Sequence, residues 1–105
     1  VHEGEIWWAS IGENIGYEID GKSNRFSRPV IIYKKLSRNF YLVIPTTTQQ
    51  KHGSWFVQFR QDERRCTACL HQVRSIDYRR LSSKLGELDE SDFIRVKDGF
   101  KNLYI

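Results

Sequence analysis

Three polar groups in this sequence have side chains suited to chemistry on a phosphodiester. Arg28 stands before a proline at the start of an apolar run, a threonine run occupies Thr46, Thr47 and Thr48, and His71 lies farther along. Arginine offers a charged, two-pronged donor that matches phosphate oxygens. Threonine hydroxyls donate to the same oxygens, and histidine exchanges protons near neutral pH. Such a set could cleave RNA through its own 2′-hydroxyl, a reaction that needs no metal.

Each of these groups also has a purely structural explanation. Threonine runs are typical of strands, a lone histidine often serves as a hydrogen-bonding structural residue, and an arginine before a proline often lies in solvent. The sequence contains no glycine-rich phosphate loop, no paired carboxylates at helical spacing and no glycine-flanked serine, which excludes the common hydrolase and kinase motifs. Residue types and spacing alone therefore leave both interpretations open.

The two cysteines, Cys66 and Cys69, form a C-x-x-C pair that matches half of a zinc site. The surrounding residues favour a strand, in which positions three apart point to opposite faces, so the sulfurs would diverge. Only His52 and His71 could complete the set. We expect two reduced, semi-buried cysteines, no metal and no cofactor, with a zinc or redox domain as the competing interpretation.

Charge is distributed unevenly along the chain. Residues 1–20 carry five acidic side chains and no lysine or arginine, whereas residues 21–84 carry fourteen basic and three acidic side chains. The formal net charge is +4. A basic middle of this kind is either a solvated surface or the binding site of a polyanion such as nucleic acid.

The elements that must position these groups are mostly strands. Runs rich in β-forming residues predict five of them, at residues 5–10, 29–36, 40–45, 54–60 and 66–76. Pro29 would open the second strand, where its missing N–H costs no ladder bond. A turn at residues 37–39 would join the second and third strands in a hairpin, and a long polar loop would follow the first. A single-turn helix is possible at residues 77–80.

The C-terminal segment predicts an amphipathic helix. Asp89 can cap it, and Gly99 weakens its last turn by up to about 1 kcal/mol. Apolar residues recur at helical spacing: Phe93, Val96, Phe100 and Leu103. The predicted fold is mainly β (α+β), a curled, largely antiparallel sheet with a terminal helix, in a single domain over residues 1–105. No apolar run is long enough to span a bilayer and no signal peptide is recognisable, so we expect no membrane partner.

Several short motifs occur in an order that resembles a known family. "GEIWWA", "GYEI", "RPVII", "IPTTTQ" and "LHQVRSIDYRRL", followed by an acidic turn into a terminal helix, are similar to the MazF/PemK toxins of bacterial toxin–antitoxin pairs. The resemblance implies an SH3-like β-barrel of the MazF/PemK/CcdB type and a homodimer in the prokaryotic cytoplasm. It also implies metal-independent cleavage of single-stranded RNA (mRNA) at short sequences, leaving a 2′,3′-cyclic phosphate and a 5′-hydroxyl. A cognate MazE-like antitoxin would block the RNA groove with its acidic tail.

Matching the motifs residue by residue assigns the expected roles. Arg28 of "RPV" matches the catalytic arginine of the family, and "PTTTQ" places the catalytic threonine at Thr47, with Thr48 as the alternative. Glu18 of "GYEI" matches a glutamate in the loop after the first strand. We expect these side chains to contact RNA: Glu18, Lys22, Arg25, Gln49, Lys51, Gln72 and Arg74.

His71 is the clearest departure from the family pattern, because related sequences carry Asp or Glu there. Some members also have a second arginine where this chain has Cys69. We expect His71 to line the RNA groove and to transfer a proton or contact phosphate, with a buried structural role as the alternative. The main competitor for the whole function is a non-catalytic binder on the same barrel, either an RNA-binding module or a CcdB-like gyrase poison, which would not need Arg28 and Thr47.

Overall fold

The computed structural model describes residues 1–11 and 27–105, and these form seven strands and one α-helix. The elements follow in chain order: β1 (Glu5–Ser10), β2 (Ser27–Ser37), β3 (Phe40–Thr47), β4 (Phe56–Gln61), β5 (Arg64–Cys69), β6 (Arg74–Asp77), β7 (Leu81–Glu87) and α1 (Glu90–Tyr104). Single-turn 3-10 helices at Leu70–Gln72 and Tyr78–Arg80 lie before β6 and β7, and the second confirms the predicted turn at residues 77–80.

The strands form one antiparallel, barrel-like sheet in the order β4-β5-β3-β2-β1-β7, with β6 also paired to β3. β4 and β7 lie at the two ends of this strand order. They approach each other through side chains, since a Cβ added at Gly86 of β7 would lie 3.3 Å from Nε2 of Gln61 on β4. The predicted mainly-β, barrel-type fold with a C-terminal helix is confirmed.

The predicted fifth strand, over residues 66–76, is wrong as a continuous element. β5 pairs with β3 at Thr46 and Thr47, β6 pairs with β3 from Phe40 to Val43, and the chain crosses between them through the 3-10 turn. The interruption lies opposite Ile44 and Pro45, and a proline cannot donate a ladder hydrogen bond. The turn is held by Leu70, which is fully buried and whose amide donates to the Trp55 carbonyl at 2.8 Å.

β7 is a strand that the sequence did not predict. Its residues, "LSSKLGE", have little β-propensity and no regular alternation. It pairs with β1 through two register irregularities, which erase the period-two pattern that marks regular strands. Glu5 of β1 is buried and its carboxylate binds Lys84 of β7 at 3.1 Å and the Trp7 indole at 2.9 Å. An ion pair between a buried carboxylate and an exposed lysine therefore joins these two strands.

Alternate residues of β2 divide the core into two clusters, because successive strand side chains point to opposite faces. Ile31 belongs to a cluster that includes Val96 of α1, whereas Val30 and Ile32 belong to a second cluster on the other face. The sheet is therefore buried on both faces at β2. Packing on both faces therefore holds β2 in place, and Arg28 is the second residue of this strand.

The helix packs as predicted, with Val96 fully buried and its apolar neighbours against the first cluster. Asp89 occupies the N-cap position, but its carboxylate makes no capping bond and its carbonyl accepts from the Phe93 amide. Gly99 allows close packing, since a Cβ there would lie 2.9 Å from side-chain carbons of Leu70 and Val57. Over residues 1–11 and 27–105, no helix is both long and apolar enough to cross a membrane.

Candidate active site

A pocket of about 510 Å³ lies where the two edges of the sheet approach each other. Residues of β1, β2, β3, β5 and β7 and the β4–β5 turn all contribute to its wall. The lining includes the polar or aromatic side chains of Trp8, Arg28, Thr46, Thr47, Thr48, Asp62 and Arg64. The fold thus brings Arg28 and the whole threonine run to the wall of one pocket.

Arg28 lies near the start of β2, opposite Ala9 of β1, and is partly buried. Its Nη1 donates to Oε1 of Gln72 at 3.2 Å, across 44 positions in the sequence. Within residues 1–11 and 27–105, the ion pairs do not include Arg28. The guanidinium is therefore oriented by a neutral amide and keeps its positive charge for an anion.

The three threonines differ in what their hydroxyls do. Thr46 is buried and its hydroxyl donates to the Pro29 carbonyl at 3.0 Å, so its proton is already used. The Thr47 hydroxyl accepts from the Gln49 amide at 3.2 Å and so keeps its own proton available to donate. Thr48 is exposed at the end of the run. The backbone at Gln49 is further fixed by the hydroxyl of fully buried Thr67, which donates to its carbonyl at 2.8 Å.

His71 is not buried and does not line this pocket. Its ring stacks on Trp55, with centroids 4.8 Å apart and planes 27° apart, and makes a T-shaped contact with Phe56, with centroids 5.3 Å apart. Its Nε2 lies 3.3 Å from Nε2 of Gln72, whose other end binds Arg28. Desolvation by the adjoining residues lowers the pKa of His71 below 6.5, and a hydrogen bond to the Trp55 backbone opposes this. The neutral imidazole therefore predominates at pH 7.

The other predicted RNA contacts occupy different positions. Lys51 is exposed and lines a second, more open pocket of about 450 Å³ between the β3–β4 connection and α1. Arg74 donates to the Ile11 carbonyl at 2.6 Å, so it holds the end of β1. Three predicted contacts lie outside the described residues: Glu18, Lys22 and Arg25.

Cys66 and Cys69 are both buried and unpaired by any disulfide. Burial raises the pKa of both thiols, and the charges of Arg28 and Lys51 oppose this at Cys69. A raised pKa disfavours the thiolate that nucleophilic or metal-binding cysteines require. Among residues 1–11 and 27–105, no three or more His, Cys, Asp or Glu side chains group in a way that could hold a metal ion.

Sequence reasoning missed several residues that line the pocket, among them Trp8, Asp62 and Arg64. Asp62 and Glu63 form the two-residue turn between β4 and β5, with φ of 52° and 65°. Such turns usually carry Asn-Gly or Asp-Gly, and the Asp-Glu pair here gives no comparable signal. The turn returns the chain towards the pocket, which no local pattern could have indicated.

Comparisons with known proteins agree with this architecture. Residues 2–104 match the family model described as a PemK-like, MazF-like toxin of type II toxin–antitoxin systems. No curated protein sequence matches the chain.

Three solved structures share the fold at low sequence identity. MazF from Deinococcus radiodurans has a TM-score of 0.75 and 19% identity, over 96% of this chain and 93% of that one. A mycobacterial endoribonuclease in complex with its cognate antitoxin has a TM-score of 0.71 and 12% identity, over 95% and 90%. The Mycobacterium tuberculosis toxin MazF-mt6 has a TM-score of 0.69 and 16% identity, over 95% of both chains. With the family model matched over nearly its whole length, this chain belongs to the PemK-like, MazF-like toxins of type II toxin–antitoxin systems.

Proposed function

We propose that this toxin is an endoribonuclease that cleaves single-stranded RNA at short preferred sequences, without a metal ion. The observation that carries the proposal is the convergence of Arg28 and Thr47 on one pocket. The pocket is large enough for part of a nucleotide, and its wall combines Arg28, which forms no ion pair within residues 1–11 and 27–105, with the Thr47 hydroxyl, which accepts a hydrogen bond there and can donate its own proton. These are the groups that a phosphate needs as negative charge grows on its oxygens.

In the proposed reaction, the 2′-oxygen of the RNA attacks the adjacent phosphorus and the bond from phosphorus to the 5′-oxygen breaks. The 2′-hydroxyl proton passes to an acceptor on the protein, and the leaving 5′-oxygen takes a proton from water. The acceptor then returns its proton to solvent, so no net proton is consumed. The products are a 2′,3′-cyclic phosphate and a 5′-hydroxyl. Arg28 would hold two phosphate oxygens and Thr47 would donate to one of them, so positive charge comes from the protein itself.

Two groups are candidates for the proton acceptor. His71 is neutral at pH 7 and lies beside Gln72, the residue that orients Arg28. Asp62 lines the pocket with a carboxylate. His71 remains the prediction from the sequence, and Asp62 is the alternative that the pocket adds.

We also propose that the toxin acts in the cytoplasm as a homodimer and is held inactive by a cognate MazE-like antitoxin. Inhibition by an antitoxin is supported by similar folds solved as complexes, a MazE-MazF complex from Deinococcus radiodurans at 16% identity and the mycobacterial complex described above. The homodimer and the cytoplasmic location are what membership of the toxin family suggests. The basic excess over residues 21–84 would favour both RNA and an acidic antitoxin segment.

The decisive experiment is to incubate the purified protein with a mixed-sequence RNA in excess EDTA and to map the ends produced. We expect cleavage, 2′,3′-cyclic phosphate ends and no cutting of a substrate with a 2′-deoxy sugar at the cut site. Cleavage of the deoxy substrate, or a strict requirement for added magnesium, would exclude the proposed mechanism.

A further inference from the structure

Trp55 is a half-exposed aromatic residue that the proposed reaction does not use. It precedes β4, and 52% of it is exposed. One face of its ring is covered by the stacked His71 ring, which itself makes a T-shaped contact with Phe56. The Trp55 carbonyl accepts from the Leu70 amide at 2.8 Å, so the backbone beneath the ring is fixed as well. The indole is therefore a supported surface with an accessible side.

This surface is continuous with the candidate active site. His71 lies 3.3 Å from Gln72, and Gln72 binds the Arg28 guanidinium at 3.2 Å. A chain of three side-chain contacts thus leads from the pocket, past the cation, to the Trp55 ring. A strand of RNA whose phosphate is bound at Arg28 would pass this ring with a nucleotide next to the cut site.

The surroundings of Trp55 are polar, which bears on what could cover the ring. Lys51 and His52 lie in the β3–β4 connection and line the second pocket together with Phe56, the neighbour of Trp55 in the chain. Gln72 adjoins the stacked His71, and all three polar side chains are exposed. A protein partner generally requires a contiguous apolar patch. A half-exposed indole near a lysine and polar side chains is instead suited to one unpaired base, whose flat face stacks while its phosphates meet cations.

We propose that Trp55, supported by His71, stacks an unpaired nucleobase of the RNA next to the nucleotide that is cut. This inference rests on the proposed function, because it takes RNA as the ligand and Arg28 as the phosphate-binding residue. Stacking is tolerant of base identity, so Trp55 would add affinity and fix the position of the strand, and base selection would lie elsewhere.

The test is a double-mutant cycle in which one change is made in the protein and the other in the oligonucleotide. A cleavage site is first mapped, and an oligonucleotide carrying that site with a 2′-deoxy sugar at the cut is made intact and with a single abasic position moved along it. Its affinity is measured for the wild type, Trp55→Ala and Trp55→Phe, with Tyr78→Ala as a control that removes another half-exposed aromatic ring.

We expect one abasic position to weaken binding to the wild type by about 5- to 150-fold, the range for loss of one stacked base. The intact oligonucleotide should bind Trp55→Ala about as weakly as the abasic oligonucleotide binds the wild type. Introducing the same abasic position should then weaken binding to Trp55→Ala little further. Trp55→Phe should recover part of the affinity, and Tyr78→Ala should behave as the wild type. If Trp55→Ala fails to fold, Trp55→Leu replaces it, since leucine keeps apolar volume without a flat aromatic face.

Three results would overturn the inference. The first is that no abasic position has a smaller effect on the affinity of Trp55→Ala than on that of the wild type. The second is an equal loss of affinity at every abasic position, and the third is a change in the oligomeric state of Trp55→Ala. The last would place Trp55 between two copies of the chain. Cleavage of the all-RNA oligonucleotide separates the two proposals. Cleavage without coupling removes only the stacking role, whereas failure to map any cleavage site removes the proposed nuclease and, with it, this inference.

Discussion

At the residue scale, the contact between Arg28 and Gln72 determines how the pocket can treat a phosphate. The guanidinium carries five N–H donors, and the bond to Gln72 uses one of them. Because the amide is neutral, it orients the cation without cancelling its charge. The remaining donors are available for the two-pronged contact that arginine makes with phosphate oxygens.

Replacing Arg28 by lysine should be nearly as damaging as replacing it by alanine. Lysine keeps the charge but loses the planar pair of donors and the bond geometry with Gln72. We expect kcat/KM for RNA cleavage to fall about 10²- to 10³-fold in both variants, with unchanged circular dichroism. Arg38→Lys, in the exposed β2–β3 turn, is the matched control and should retain full activity.

An Arg28→Lys variant with most of its activity would reduce Arg28 to background charge. An Arg28→Ala variant that cleaves no RNA but still arrests growth would favour the non-catalytic binder, such as a gyrase poison.

The pH dependence of cleavage tests His71. Since desolvation lowers its pKa below 6.5, a neutral His71 can accept a proton at pH 7 but cannot neutralise a phosphate. We expect log kcat/KM to rise with pH up to the lowered pKa of His71 and then to reach a plateau. Between pH 7 and 8, both kcat/KM and the affinity for RNA should stay constant. His71→Ala should remove that rising limb and lower the plateau about 10²-fold. A limb that persists in His71→Ala would transfer the role to another group, with Asp62 tested next.

At the scale of elements, each residue of the 3-10 turn at Leu70–Gln72 makes a different contact. Leu70 fills the core, His71 supports Trp55, and Gln72 orients Arg28. The sequence predicted these residues as part of one strand, because apolar content and β-propensity do not reveal where a ladder is interrupted by the opposing Pro45. The hairpin of β2 and β3 and the helix α1 were predictable, since their patterns are local.

Gly99→Ala should destabilise the protein, although alanine is the better helix former. Alanine gains about 1 kcal/mol in helix propensity. Its Cβ would meet Leu70 and Val57 at 2.9 Å, and overpacking of this kind costs about 1–3 kcal/mol. We expect a net loss of about 1 kcal/mol in the free energy of unfolding, measured by urea denaturation. Asn102→Ala, at an exposed position of α1, should instead be neutral or slightly stabilising, and equal behaviour of the two variants would contradict the packing argument.

Glu5 should make the pairing of β1 with β7 sensitive to acid. Burial alone would raise its pKa, but hydrogen bonds from Trp7, the His2 amide and Lys84, with the charge of Lys84, lower it from 4.5 to about 2. A depressed carboxyl pKa contributes stability above pH 4.5 that is lost as pH falls towards 2, here about 3 kcal/mol. We expect Glu5→Gln to be less stable at pH 7 and to lose less stability between pH 5 and 2. The exposed Glu87→Gln is the control, and parallel pH curves for Glu5→Gln and the wild type would refute the assignment.

At the scale of the whole molecule, the candidate site belongs to no single element. The pocket forms where both edges of the sheet meet, so Trp8, Asp62 and Arg64 line it from distant parts of the chain. The sequence predicted Arg28 and Thr47 because short motifs resemble a family. It could not predict the contact between Arg28 and Gln72, which depends on how β2 and the 3-10 turn are placed by tertiary packing.

RNA and an acidic antitoxin peptide should compete for this assembly, and both should bind more weakly in salt. We expect the affinity for each to fall about tenfold between 50 and 200 mM salt, since phosphates and carboxylates meet the same cations. Light scattering at micromolar concentration should give a dimer. A fully active monomer, or simultaneous binding of peptide and RNA, would contradict the proposed inhibition.

The pairing of β1 with β7 also has a consequence for the order of events during synthesis. β1 begins at Glu5, and its partner ends only at Glu87. At about 5–20 residues per second, the ribosome needs several seconds to supply the second strand after the first. Throughout that interval the pocket lacks the part of its wall that Leu85 of β7 provides. A nascent toxin would thus gain its proposed activity only after β7 has emerged from the ribosome.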